Sequence, residues 1–206
     1  MAQNKNIAKP KLLIIGDSIV AGVGADNKFG WAQKFLDKFK AYLCVDISGI
    51  GGDTIVKILT RQNNFLKKRY DLVVLEVGLN DSRFRPSLKL NEVAIKDFES
   101  GIARFVESWR SNNVTVLIVG LTRVDESKTI PFKEDKIYRN SDINFYDTSL
   151  KAICERTMAQ YLPVPALSDK DQYLSDGMHP STKGHEQLYH TLKEQIIRAL
   201  TSITNQ

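Results

Sequence analysis

The chain has 206 residues, 42% of them hydrophobic and 26% charged, with a formal net charge of +5. That length suffices for one domain with a substantial apolar core, and no stretch approaches the roughly 20 apolar residues that span a bilayer. The basic residues are dispersed apart from Lys67-Lys68-Arg69, and no basic stripe interleaved with aromatics points to nucleic acid.

Met1 to Lys11 is polar and basic, and reads as an N-terminal segment (1–11) ahead of a single domain (12–206). The apolar run that follows, Leu12–Ile15, is too short for the core of a signal peptide. A cytoplasmic location without stable membrane association is the expectation. Cys44 and Cys154 lie in apolar segments far apart, read as buried free thiols, and lack metal-site spacing.

Short apolar runs predict strands at Leu12–Ile15, Leu43–Ile47, Leu72–Val77, Val114–Val119 and Leu162–Leu167. Segments of helical period alternate with them. Trp31, Phe35, Phe39 and Tyr42 share one face, as do Ile55, Ile58, Leu59, Gln62 and Phe65, with Gln62 the polar exception. Phe98, Ile102, Phe105 and Trp109 form a third stripe, and Ile143, Tyr146, Leu150 and Ile153 a fourth. Leu188, Leu192, Ile196, Ala199 and Ile203 form the last. This alternation predicts an α/β fold, a parallel sheet covered by helices on both faces. Ligands of such sheets bind beyond the carboxyl ends of the strands.

Four short motifs fall at that edge. Gly16-Asp17-Ser18 follows the first strand, Gly51-Gly52-Asp53 the second, and Gly78-Leu79-Asn80-Asp81 the third. Asp176-Gly177-Met178-His179 precedes the final helix. Each alone has a plain structural explanation. Ser18 fits a helix cap, Gly52 a turn, and Asn80 an Asn-Asp turn. Neither a phosphate loop nor a complete dinucleotide fingerprint is present, and the Gly-x-Ser-x-Gly elbow is missing.

Histidine narrows the choice. Of the three, His190 lies off the apolar stripe and reads as solvated, and His185 lies on it and reads as packed. His179 sits in a loop flanked by Gly and Pro, three residues after Asp176. One compact turn can bring that carboxylate to one imidazole nitrogen and leave the other for Ser18.

Taken together and in order, these blocks resemble the SGNH, or GDSL-type, esterases and lipases. The four letters stand here as Ser18, Gly52, Asn80 and His179, with Ile19 where the GDSL name has Leu. Asp176 and His179 fit the family's Asp-x-x-His, followed by Gly184-His185. The resemblance implies a flavodoxin-like three-layer α/β/α sandwich with a five-stranded parallel sheet. It also implies a catalytic set of Ser18, Asp176 and His179, and an oxyanion hole of Ser18 and Gly52 N–H groups with the Asn80 side chain. No metal or organic cofactor is implied. The substrate would be a small-molecule ester, most simply a short-acyl carboxylic ester. An acyltransferase or carbohydrate deacetylase using the same site, and a ligand-binding module without turnover, stay open as alternatives. The oligomeric state is not readable.

Two loops should overhang this edge, Ser82–Asn91 and Thr122–Asn140. The second has about 19 residues, long for a compact domain and suggestive of a role. Its Ile130, Phe132 and Tyr138 are expected to help line an acyl pocket, and Arg83, Arg85 and Arg123 to favour polar or anionic substrates.

Overall fold

The structure, a computed structural model, describes residues 9–167 and 176–204, so most of the polar N-terminal segment lies outside the described residues. In chain order the main elements are β1 (Lys11–Gly16), α1 (Trp31–Phe39), β2 (Cys44–Gly49), α2 (Ile55–Leu66) and β3 (Leu72–Glu76). The hairpin strands β4 (Phe84–Arg85) and β5 (Leu90–Asn91) come next, then α3 (Ile95–Arg110) and β6 (Thr115–Val119). The short α4 (Glu126–Thr129), α5 (Asn140–Thr157), β7 (Gln160–Leu162) and α6 (Thr182–Thr204) complete the chain.

Five strands form one parallel sheet in the order β2-β1-β3-β6-β7. The central strands are apolar because both their faces are covered. Leu12 to Ile15 in β1 and Leu72 to Leu75 in β3 are fully buried. Each such side chain contributes roughly 1.5–3 kcal/mol relative to exposure. The order also sets the layers. The chain moves one way from β1 to β2 and the other way from β2 through β3 and β6 to β7. Right-handed crossovers then put α1 on one face and α2, α3 and α5 on the other. The packing agrees: α1 lies against α6, while α3 lies between α2 and α5. No helix among the described residues is long and apolar enough to cross a membrane.

Several expectations move. The fifth strand runs Gln160–Leu162 rather than Leu162–Leu167, because Pro163 has no N–H for the ladder. Cys154 is buried but Cys44 is exposed, since it opens the edge strand β2 and only one neighbour covers that strand. Tyr42 lies beyond the end of α1 and is 71% exposed, so the first stripe stops at Phe39. Gln62 is buried on the α2 face as placed, with its side-chain oxygen unpartnered among the described residues.

Candidate active site

The strand order reverses between β1 and β3, the crevice where ligands of such sheets bind. Ser18 leaves the end of β1 there. Gly16 is required at that exit, because a Cβ would stand 2.4 Å from the carbonyl oxygen of Glu76. Asp17 then tightens the turn: its Oδ1 accepts from the Ile19 N–H at 3.0 Å, and its carbonyl from the Ala21 N–H at 3.1 Å. The Ser18 carbonyl accepts from Val23 N–H at 3.0 Å. Ser18 is thereby held in a rigid loop with its hydroxyl facing the crevice edge.

Gly52 follows β2 at φ +79°, a left-handed conformation that glycine adopts without a Cβ penalty. Among the described residues, neither the Ser18 nor the Gly52 N–H has a hydrogen-bond partner. Asn80 follows β3. Its Nδ2 donates to Asp17 Oδ2 and to the Asp53 carbonyl, each at 3.1 Å. Its Oδ1 accepts from the Tyr138 hydroxyl at 3.2 Å. An oxyanion would therefore share an Asn80 proton already engaged in the free protein.

Asp176 and His179 arrive on the loop before α6. Asp176 divides its two oxygens between backbone and imidazole. Oδ1 accepts from the N–H groups of Met178 at 3.0 Å and His179 at 3.2 Å, while Oδ2 lies 2.7 Å from His179 Nδ1. The other ring nitrogen, Nε2, lies 3.0 Å from Ser18 Oγ. A proton on Nδ1 leaves Nε2 as an acceptor for the serine hydroxyl. Burial pushes the Asp176 carboxyl up, but the hydrogen bond from His179 and those from the backbone outweigh it and hold it at about 2. The structure thus brings Ser18, Gly52, Asn80, Asp176 and His179 from four loops to one edge.

The remaining histidines are structural. His185 is buried, its Nε2 lies 3.0 Å from the Val23 carbonyl, and its Nδ1 accepts from the Trp31 N–H at 3.3 Å. Burial lowers its pKa, and this pattern suits the neutral ring. His190 is exposed beside Glu186.

Other polar groups support the site, Asp17, Asp53 and Asp81 from within the motifs and Glu76, Arg61 and Tyr138 from outside them. Three buried carboxyls lie beneath it, and burial is the main cause raising each: Asp17 to about 6, Asp81 to about 7 and Glu76 to about 8. Glu76 accepts from Trp31 Nε1 at 2.9 Å, and Asp81 from the Ile55 N–H at 2.9 Å. Arg61 of α2 reaches the Gly16 carbonyl at 2.7 Å, the Ser48 carbonyl at 2.9 Å and Asp53 at 2.7 Å. A charged residue closing an otherwise apolar strand was the available sign for Glu76. For Arg61 there was none, and Tyr138, expected to line an acyl pocket, lies behind Asn80 instead.

The overhanging loops differ from expectation in what they present. The loops are tied together by paired backbone hydrogen bonds between Phe84 and Ile137, at 2.9 and 3.0 Å. Arg83 and Arg85 both pair with Glu92 at 2.8 Å, and Arg85 also with Asp135. Tyr138 is 1% exposed and lies behind Asn80, and Phe132 packs against it.

The sequence profile of the GDSL-like lipase/acylhydrolase family matches residues 14–187. Among curated proteins, the chain is 31% identical over 119 residues to esterase TesA of Pseudomonas aeruginosa, covering 55% of each chain. The chain thus spans about half the length of that relative. Its fold is similar to the psychrotrophic esterase EstA from Pseudoalteromonas sp., with a TM-score of 0.74, 20% identity, and coverage of 94% of this chain and all of the other. It is also similar to Axe2, an acetylxylan esterase from Geobacillus stearothermophilus, with a TM-score of 0.72, 20% identity, and coverage of 91% and 94%.

Proposed function

Because the chain belongs to the GDSL-like lipase/acylhydrolase family, we propose that it is a serine-dependent carboxylic ester hydrolase working through an acyl-enzyme on Ser18. One observation carries the reading, the hydrogen-bonded line from Asp176 Oδ2 through His179 to Ser18 Oγ, at 2.7 and 3.0 Å. The backbone N–H groups of Ser18 and Gly52, in the loops after β1 and β2, have no partner among the described residues and support the same reading.

His179, oriented by Asp176, takes the Ser18 proton as Oγ attacks the ester carbonyl. The oxyanion forms against the N–H groups of Ser18 and Gly52, and shares an Asn80 Nδ2 proton with that proton's partner in the free protein. Collapse of the tetrahedral intermediate breaks the bond to the alkoxy group, which leaves as the alcohol with the proton from His179. Water, deprotonated by the same imidazole, then attacks the acyl-enzyme; the bond to Ser18 Oγ breaks, His179 returns the proton to Oγ, and the acid is released.

Short-acyl esters are the first candidates. Tyr138 and Phe132, two of the three side chains expected to line an acyl pocket, pack internally, which leaves less apolar surface for a long chain. Arg83 and Arg85 are neutralised by Glu92 and Asp135, which weakens the case for anionic substrates. The test is hydrolysis of p-nitrophenyl esters with acyl groups from acetyl to palmitoyl, beside Ser18→Ala. Serine-dependent turnover that peaks at the shortest chains supports the reading. Turnover that survives Ser18→Ala overturns the mechanism, and a peak at long chains overturns the substrate class.

A further inference from the structure

We propose that Tyr138 is a positioning residue for the oxyanion site: its hydroxyl holds and polarises the Asn80 carboxamide from behind, and Arg83 fixes the direction of that hydroxyl. This rests on the serine hydrolase reading above. The side chains form one chain of hydrogen bonds. Glu92 pairs with Arg83 at 2.8 Å, and Arg83 Nη1 donates to the Tyr138 hydroxyl oxygen at 3.3 Å. The Tyr138 hydroxyl donates to Asn80 Oδ1 at 3.2 Å, and Asn80 Nδ2 donates onward to Asp17 and the Asp53 carbonyl.

The direction of every proton is forced. Arginine has only donors, so the tyrosine oxygen accepts from Arg83 and its single proton goes to Asn80. Asp17 and the Asp53 carbonyl are acceptors, so the amide nitrogen must face them. Donors aligned in series polarise one another, and this strengthens the Nδ2 protons at the end that meets an oxyanion. Burial also raises the Tyr138 pKa, which keeps its proton on the hydroxyl.

The loop is built to deliver this group. The Tyr138 N–H donates to the Thr129 carbonyl at 3.1 Å, and Thr129 Oγ1 donates to the Tyr138 carbonyl at 2.9 Å. Phe132 meets the ring edge-on, with centroids 5.5 Å apart. One segment thus carries both Ile130, exposed at the surface, and Tyr138, buried against Asn80. The long loop after β6 is a brace for the oxyanion donor as well as a wall.

Tyr138→Phe removes only the hydroxyl. Losing an oxyanion donor outright lowers turnover by roughly 10²–10³, so losing its support should lower kcat by about tenfold. KM for p-nitrophenyl acetate should stay within about twofold, because the carboxamide acts on the transition state. The effect should vanish in an Asn80→Ala background, since Tyr138 then has nothing to position. A general packing defect would instead lower kcat equally in both backgrounds. Wild-type kcat in Tyr138→Phe, or the same loss on top of Asn80→Ala, overturns the proposal. Should Tyr138→Phe fail to fold, Arg83→Met tests the same chain, and Arg85 still pairs with Glu92. It should lower kcat about threefold in the wild-type background and not at all beside Asn80→Ala; unchanged kcat in the wild-type background, or the same threefold loss beside Asn80→Ala, overturns the proposal. Failure of the serine hydrolase reading has a separate signature, near-normal turnover in Ser18→Ala.

Discussion

Arg61 grips Asp53 with its Nε 2.7 Å from Oδ2, and both side chains are nearly buried. The same guanidinium reaches the Gly16 carbonyl at the end of β1 and the Ser48 carbonyl near the end of β2. One side chain from α2 thus ties the exits of both strands to the loop that carries Gly52. Losing one partner of a buried ion pair leaves the other charge uncompensated, so Arg61→Ala should destabilise the fold by about 3–5 kcal/mol. Urea unfolding checks this, and a loss under about 1 kcal/mol would mean that the pair behaves as an exposed one.

Asp176→Asn should keep the fold and lose most of the turnover. An amide can present its NH₂ to His179 Nδ1, which favours the tautomer whose Nε2 carries a proton and cannot accept from Ser18. The expected fall in kcat/KM is on the order of 10⁴, with the melting temperature little changed at neutral pH. Retention of a tenth of the wild-type rate would remove Asp176 from the proposed catalytic set.

The three carboxyls beneath the site predict how stability varies with pH. In the folded chain burial raises Asp17 to about 6, Asp81 to about 7 and Glu76 to about 8. Each binds its proton more tightly folded than unfolded. Their contribution is therefore fully present below the ordinary carboxylate range and is lost as pH rises through those three values. The melting temperature should fall between about pH 5 and pH 9, and Glu76→Gln, which cannot ionise, should flatten the upper part of that fall. Parallel curves for the two proteins would show that Glu76 does not titrate in this range.

Two glycines should respond differently to alanine. At Gly16 a Cβ would stand 2.4 Å from a backbone oxygen of β3, so strands must shift, at about 1–3 kcal/mol. At Gly52 a Cβ meets nothing within 4 Å, and the cost is the left-handed backbone alone, about 1–2 kcal/mol. Gly52→Ala should nonetheless lower kcat, because any relaxation of that backbone turns its N–H away from the crevice. Thermal unfolding beside steady-state kinetics separates the two effects. Unchanged kcat in Gly52→Ala would argue against its N–H as an oxyanion donor.

Local pattern was enough for the sheet and its helices. Continuous apolar runs such as Leu72–Leu75 announce strands covered on both faces, and the stripe of Phe98, Ile102, Phe105 and Trp109 announces a helix with one buried side. Strand limits were less legible where a single residue decided them, as Pro163 did for β7. The exposure of Cys44 follows from β2 lying at the sheet edge, which composition does not encode.

By itself the sequence determined the order of the elements and the candidate residues Ser18, Gly52, Asn80, Asp176 and His179. Those residues sit in short blocks at the ends of recognisable segments, where local spacing carries the signal. Only the tertiary structure decided what stands behind them. Arg61, Glu76 and Tyr138 act across the chain, 8 to 58 positions from the groups they hold. Their partners are chosen by proximity in space once the sheet has formed. The physical reason is that buried polar groups must find hydrogen-bond partners wherever the fold places them, and that requirement leaves no periodic trace in the sequence.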